Sequence, residues 1–171
     1  MNSIKNGLMS LVVLAFTSVS VHAVLPQDIL QDGVEGRSVD SGLYVRKGTV
    51  AAALANAFLF DQLMTEPDSE DKTAKITSIT TDLKSLVPGL SAIKMFELFG
   101  PDEWIKWVPG KEGRVLIGLL YLQENPKASN AKIIAALKTD YKTAPSALQK
   151  EILKTLEKVL NNLKAIYNIA L

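Results

Sequence analysis

The last 26 residues, SALQKEILKTLEKVLNNLKAIYNIAL (146–171), decide the fold class. Leu148, Ile152, Leu156, Val159, Leu163, Ile166 and Ala170 recur at steps of three and four. That spacing draws one apolar stripe along an α-helix. Leu153, Leu160 and Tyr167 flank and widen the stripe, while Lys150, Glu151, Lys154, Glu157, Lys158 and Lys164 fill the other face. Ser146 and Gln149 have the spacing of a capping box. Such a helix would be about 39 Å long at 1.5 Å per residue. It is long enough to span a small domain, and the other helices are expected to pack on it.

Upstream, the same reasoning gives more helices. Val50–Met64 is apolar nearly all round, interrupted only by Asn56, Asp61 and Gln62, with Thr49 placed to cap it. A helix without a polar side belongs at the centre of a fold. Ile76, Ile79, Leu83 and Leu86 give a one-sided helix from about Ser69 to Val87, which Pro88-Gly89 is expected to end. Ser91–Phe99 reads as a short helix with Ile93, Phe96, Leu98 and Phe99 inward, and Asp102–Val108 as one further turn. Lys111–Glu124 carries Val115, Leu116, Leu119, Leu120 and Leu122, with Gly118 allowing a close crossing. Ser129 or Asn130 opens a helix to about Tyr141. No strand pattern stands out, although Leu43-Tyr44-Val45 reads as extended. The expected fold is therefore all-α: a single-domain bundle of about six helices over 49–171, with a long C-terminal amphipathic helix. Residues 24–48, with Pro26, Gly33, Gly36, Gly42 and Gly48, read as an irregular N-terminal arm. Pro26–Leu30 is compatible with a single helical turn.

The first 23 residues follow a different logic. Lys5, the apolar run Leu8–Val19 and the small residues of Val21-His22-Ala23 have the three-part pattern of a secretory signal peptide cleaved after Ala23. The run is short for a membrane span, so no transmembrane segment is expected after cleavage. Export of a bacterial type, to the periplasm or beyond, is the compartment this implies. The chain has no Cys and one His, His22, inside the leader. The mature chain would then have neither, which excludes disulfides, Ser-His-Asp and Cys-His catalysis and the usual zinc sites.

Charge is unevenly spread. Residues 24–103 carry 7 basic and 13 acidic side chains, and residues 104–171 carry 11 basic and 5 acidic. The basic half would suit an anionic partner or lipid headgroup, but charge runs of this kind are more often ordinary solvated helix faces. Glu66-Pro67-Asp68-Ser69-Glu70-Asp71 reads as a helix start, with Asp68 as the cap. It lacks the Gly and distal Glu of an EF-hand loop, and whether it binds a cation stays open at this level.

No catalytic motif emerges. Ser-x-x-Lys occurs at Ser69/Lys72, Ser91/Lys94 and Ser129/Lys132, each time where Ser would cap a helix, without the partner motifs of penicillin-binding enzymes. Asp102 with Glu103, or Asp61 with Glu66, are the carboxylate pairs a glycosidase would need. Leu119–Leu137 resembles the first two helices of a winged-helix DNA-binding domain. The resemblance implies a basic recognition helix next, but Lys138–Pro145 replaces the tight turn, the following helix is too long and no wing strands follow, so no nucleic-acid partner is expected. The expected function is non-enzymatic binding, of a protein partner or of an apolar or anionic ligand such as a lipid headgroup, with no cofactor and no metal. Trp104, Trp107, Lys150, Lys154, Lys158 and Lys164 form the candidate contact set. The alternatives are an assembly subunit of an envelope complex, in which Val50–Met64 packs on another chain, or a carboxylate- or Ser/Lys-based hydrolase.

Overall fold

The computed structural model describes residues 33–39, 42–139 and 144–167, the last without the Tyr167 side chain. The leader, the Pro26–Leu30 turn, Tyr141 and Ala170 lie outside the described residues, as does the inward placement of Tyr167. The remainder is an all-α bundle. Its helices are α1 (Thr49–Thr65), α2 (Glu70–Ala92), α3 (Met95–Leu98), α4 (Pro101–Ile105), α5 (Glu112–Glu124), α6 (Ala131–Thr139) and α7 (Ser146–Tyr167). A 3-10 turn, Pro126–Ala128, joins α5 to α6. Within the N-terminal arm, β1 (Gly36–Ser38) and β2 (Tyr44–Arg46) form a small antiparallel hairpin with Arg37 opposite Val45. Among the described residues no helix is long and apolar enough to cross a membrane.

The hub of the bundle is α5, not the C-terminal helix. It packs against α1, α2, α4 and α7. Val115–Leu120, Leu122 and Gln123 are all buried, as are Glu112 and Gly113 in its first turn. Aliphatic side chains around its whole circumference let it take neighbours on every side, whereas α7 has one apolar face and takes them on one. That face of α7 follows the periodicity through Leu148, Ile152 and Val159, then runs out: Ile166 is exposed. Leu153, expected to widen the stripe, is exposed too. Ser146 opens the helix instead of capping it. Leu148 and Gln149 donate their N–H groups to Pro145 O, and the Gln149 side chain reaches back to Ala144 O.

Helices α1 and α2 form an antiparallel pair, and the start of α1 lies against the end of α2: a Cβ on Gly89 would sit 3.0 Å from Thr49 Cγ2. Ser69, not Asp68, caps α2, accepting from Lys72 N–H at 3.0 Å. The acidic turn closes around a lysine of its own chain, with Lys72 Nζ donating to Glu66 O at 2.6 Å and to Asp68 Oδ1 at 3.0 Å. Pro88 does not end α2, which continues to Ala92. Proline removes one donor, but burial of Val87 and Leu90 on either side holds the helical path. The break comes at Lys94, whose φ of 63° is left-handed, so Ser91–Phe99 is not a single helix. Of its four expected core residues only Phe96 is buried, while Ile93, Leu98 and Phe99 are exposed. The structure also corrects α1. Thr49 is its first residue, Gly48 stands at the cap, and only one side of the helix is buried. Leu54, Phe58 and Leu59 are about half exposed, at 48, 59 and 49 %.

Candidate binding groove

The uncovered side of α1 forms one wall of a groove of about 550 Å³. Leu54, Ala57 and Phe58 come from α1 and Leu90 from the end of α2. Met95 opens the short α3 and Phe99 follows it, Trp104 comes from α4, and Ile117 belongs to α5. Charge is confined to a few side chains: Asp61, Glu103, Lys111 and Arg114. Apolar walls with few convergent polar groups, in a volume of this size, are the usual make-up of a small-ligand site.

Two glycines set the geometry. Gly118 lets α4 lie directly on α5, because a Cβ there would sit 2.7 Å from Trp104 Cβ. The Trp104 ring is held by its Nε1–H on Phe99 O at 3.1 Å and by Phe96 at 5.3 Å between ring centroids. Phe96 in turn stacks on Tyr121 at 3.9 Å. Gly113 brings α1 and α5 into backbone contact, and its N–H donates to Asp61 Oδ1 at 2.7 Å.

Polar groups near the groove are incompletely satisfied. Arg114 donates from one terminal nitrogen to Lys106 O, but its Nε is buried without a partner. Glu112, only 6 % exposed, accepts from Gly110 N–H through Oε1, and its Oε2 is buried without a partner. Asp61 lies beside Glu112 and its carboxyl is raised above the ordinary value. Loss of hydration is the largest cause; Glu112 reinforces it, and the Gly113 N–H and Lys111 oppose it. Asp61 is thus paired with Glu112, not Glu66. Asp102 is engaged by Lys132 in an ion pair.

The six candidate contact residues do not share one surface. Trp104 lines the groove. Trp107 packs elsewhere, near Val115 and Leu119 of α5, Ala136 and Leu137 of α6 and Ile152 of α7. Lys150 and Lys154 face a second depression of about 640 Å³ between α2 and α7, over Leu120 and Gln123 of α5. Lys72 and Lys84 line it from α2, together with the carboxylates Asp68 and Glu151. Lys72 is tied to Asp68 and Lys154 to Glu151, at 3.0 and 2.6 Å. Lys158 donates to Gln123 O at 3.3 Å, and Lys164 is exposed near the end of α7. Among the described residues no group of three or more acidic or imidazole side chains gathers as a metal site would. Sequence spacing missed Leu54, Phe58, Asp61 with Glu112, and Arg114. The one available signal was the lack of a polar face on α1.

Fold and site together define an all-α bundle with an open apolar groove. The chain belongs to the family described as Domain of unknown function (DUF7709), whose model matches residues 21–125. No curated protein and no solved structure matches it. Every residue lining the apolar groove falls inside the matched range, whereas the second depression depends on α7, outside it.

Proposed function

We propose that the mature chain, exported after removal of residues 1–23, binds an amphipathic ligand without chemical conversion. The apolar part of the ligand lies along Leu54, Phe58, Phe99 and Trp104, and its anionic head meets Lys111 and Arg114. The observation that carries this reading is the pairing of a water-facing apolar trough with a buried guanidinium N–H that has no acceptor. Leaving several large side chains half in water is unfavourable unless something covers them, and a buried donor without an acceptor costs about 1–3 kcal/mol. An apolar tail covers the exposed side chains, and an anionic head is attracted by the Lys111 and Arg114 charges that line the groove. Export is supported by the three-part leader in the sequence.

The test uses a Trp107→Phe background, so that Trp104 is the sole indole. Titration with dodecane-1-sulfonate should give a saturable change in Trp104 emission. Phe58→Asp, at an exposed position, should abolish it. Arg114→Gln should weaken binding by about tenfold, the scale of a charge-assisted hydrogen bond. An emission unchanged at saturating probe would sink the reading. Intact mass of the protein recovered from its native envelope should begin at Val24. An assembly subunit would instead cover the same face of α1 with another chain, and predicts a mass that rises with concentration in sedimentation.

A further inference from the structure

The charges that line the apolar groove cancel: Lys111 and Arg114 are basic, Asp61 and Glu103 acidic. A head group that is only an anion is attracted by one pair and repelled by the other. The two carboxylates are not equivalent. Asp61 Oδ1 is taken by the Gly113 N–H at 2.7 Å, where α1 crosses α5. Glu103 is exposed in the first turn of α4, and among the described residues its carboxylate accepts no hydrogen bond and forms no salt bridge. Lys132 acts on Glu103 through space but gives its hydrogen bond to Asp102.

Aromatic rings share the groove with this free carboxylate. Trp104 follows Glu103 directly in the chain, and its Nε1–H donates to Phe99 O at 3.1 Å, which ties the two stretches together. Phe58 completes a set of three rings in the lining, and both Phe58 and Phe99 are more than half exposed. A cation over an aromatic face is attracted by the ring quadrupole, most strongly by an indole. A primary ammonium has three N–H donors to satisfy, and rings with one carboxylate supply few acceptors. A quaternary ammonium has none, and its methyl groups pack on the rings.

We propose that the ligand of the groove is a zwitterionic amphiphile whose head carries a quaternary ammonium, as in a phosphocholine. The ammonium sits by Glu103, Phe99 and Trp104, the phosphate meets Lys111 and Arg114, and the tail keeps Leu54 and Phe58. The backbone sets the spacing. A Cβ on Gly118 would lie 2.7 Å from Trp104 Cβ, so the indole is carried at the level of Gly118. Gly118 stands four residues beyond Arg114 in α5, about 6 Å along the helix axis. A short ethylene-linked head reaches across such a gap from its phosphate to its ammonium. The matched pairs of charge, the free Glu103 and the three rings are then used together, where an anion alone would leave Glu103 opposing it.

This assignment rests on the groove reading, and the test separates the two. Dodecylphosphocholine and dodecane-1-sulfonate, each below its critical micelle concentration, are titrated against Trp104 emission in the Trp107→Phe background. The phosphocholine should bind about tenfold more tightly, the combined scale of cation–π contacts and an exposed ion pair. Glu103→Gln should weaken the phosphocholine by about fivefold, the upper range for an exposed pair. The same variant should tighten the sulfonate, because a like charge has been removed. Opposite signs in one variant do not come from a loss of fold. Phe99→Leu keeps an apolar side chain without the ring, and should cost the phosphocholine more than the sulfonate. Equal affinity for the two probes, or a change of the same sign for both in Glu103→Gln, overturns the zwitterionic head and leaves the groove reading in place. No response to either probe removes the groove reading, and the head assignment falls with it.

Discussion

Gly113 of α5 and Ala57 of α1 touch through their backbones: a Cβ on Gly113 would lie 2.6 Å from Ala57 Cα. No rotamer change relieves that clash, because the obstructing atoms belong to the main chain of a helix. Gly113→Ala must push α1 away from the hub. It is expected to destabilise the fold by about 3 kcal/mol or more, at the upper end of overpacking costs. Urea denaturation would measure it. Gly48→Ala serves as the control: Gly48 has φ −85° and nothing within 4 Å of its Cβ position, so the effect should stay within about 0.5 kcal/mol. Equal effects at the two sites would contradict the close α1–α5 crossing.

Pro88 stands inside α2 with its ring exposed to solvent. It supplies no N–H for the carbonyl one turn back, and a proline in a helix interior costs about 3 kcal/mol relative to alanine. Its rigidity also lowers the entropy of the unfolded chain, which offsets part of that cost. Pro88→Ala should therefore raise stability, by about 1–2 kcal/mol, read as an increase in Tm. A lower Tm would mean that the packing of Val87 and Leu90 depends on the proline between them.

Gln123, Glu151 and Thr155 form a buried polar knot between α5 and α7. Gln123 Nε2 donates to Glu151 Oε2 at 3.0 Å and to Thr155 Oγ1 at 3.1 Å, and Thr155 Oγ1 donates to Glu151 O at 2.8 Å. Thr155→Val keeps the shape and removes both links, which should cost about 1–3 kcal/mol. Gln123→Leu should cost a similar amount. The double variant should cost clearly less than the sum, because the two side chains are in direct contact. Strict additivity in denaturation experiments would show that the knot does not act as a unit.

Asp102 and Lys132 pair on the surface, joining α4 to α6. The hydrogen bond from Lys132 is the first cause holding the Asp102 carboxyl below its ordinary value, and the same partner raises Lys132. NMR titration should find Asp102 ionising below the usual range, and Lys132→Met should return it there. Because the shift is downward, the stability from this pair is present above the unfolded carboxylate value and is lost as pH falls through the folded one. Added salt should shrink the shift, since the pair is exposed.

Much of the helical content was legible because burial imposes a period. The stripe on α7 holds from Leu148 to Val159, and Asn130 does cap α6, its side chain accepting from Ile133 N–H at 3.0 Å. Gly118 was readable as a crossing point and is one. The rank of the helices was not legible. An aliphatic run such as Val115–Leu122 looks the same in sequence whether it is a hub or an edge, and the length of α7 suggested a centrality that its single apolar face cannot support. The candidate site was less legible still. Asp61 and Gly113 are 52 residues apart, and nothing local in either segment announces that they meet.

The sequence by itself determined the class of fold, the spans of most helices and a chemistry with no thiol and a single imidazole, because periodicity and composition act residue by residue along the chain. The tertiary structure decided which helix lies at the centre and which side of α1 stays uncovered. Those outcomes depend on how closely backbones approach at Gly113 and Gly118, and that distance is set only when every helix has found its place.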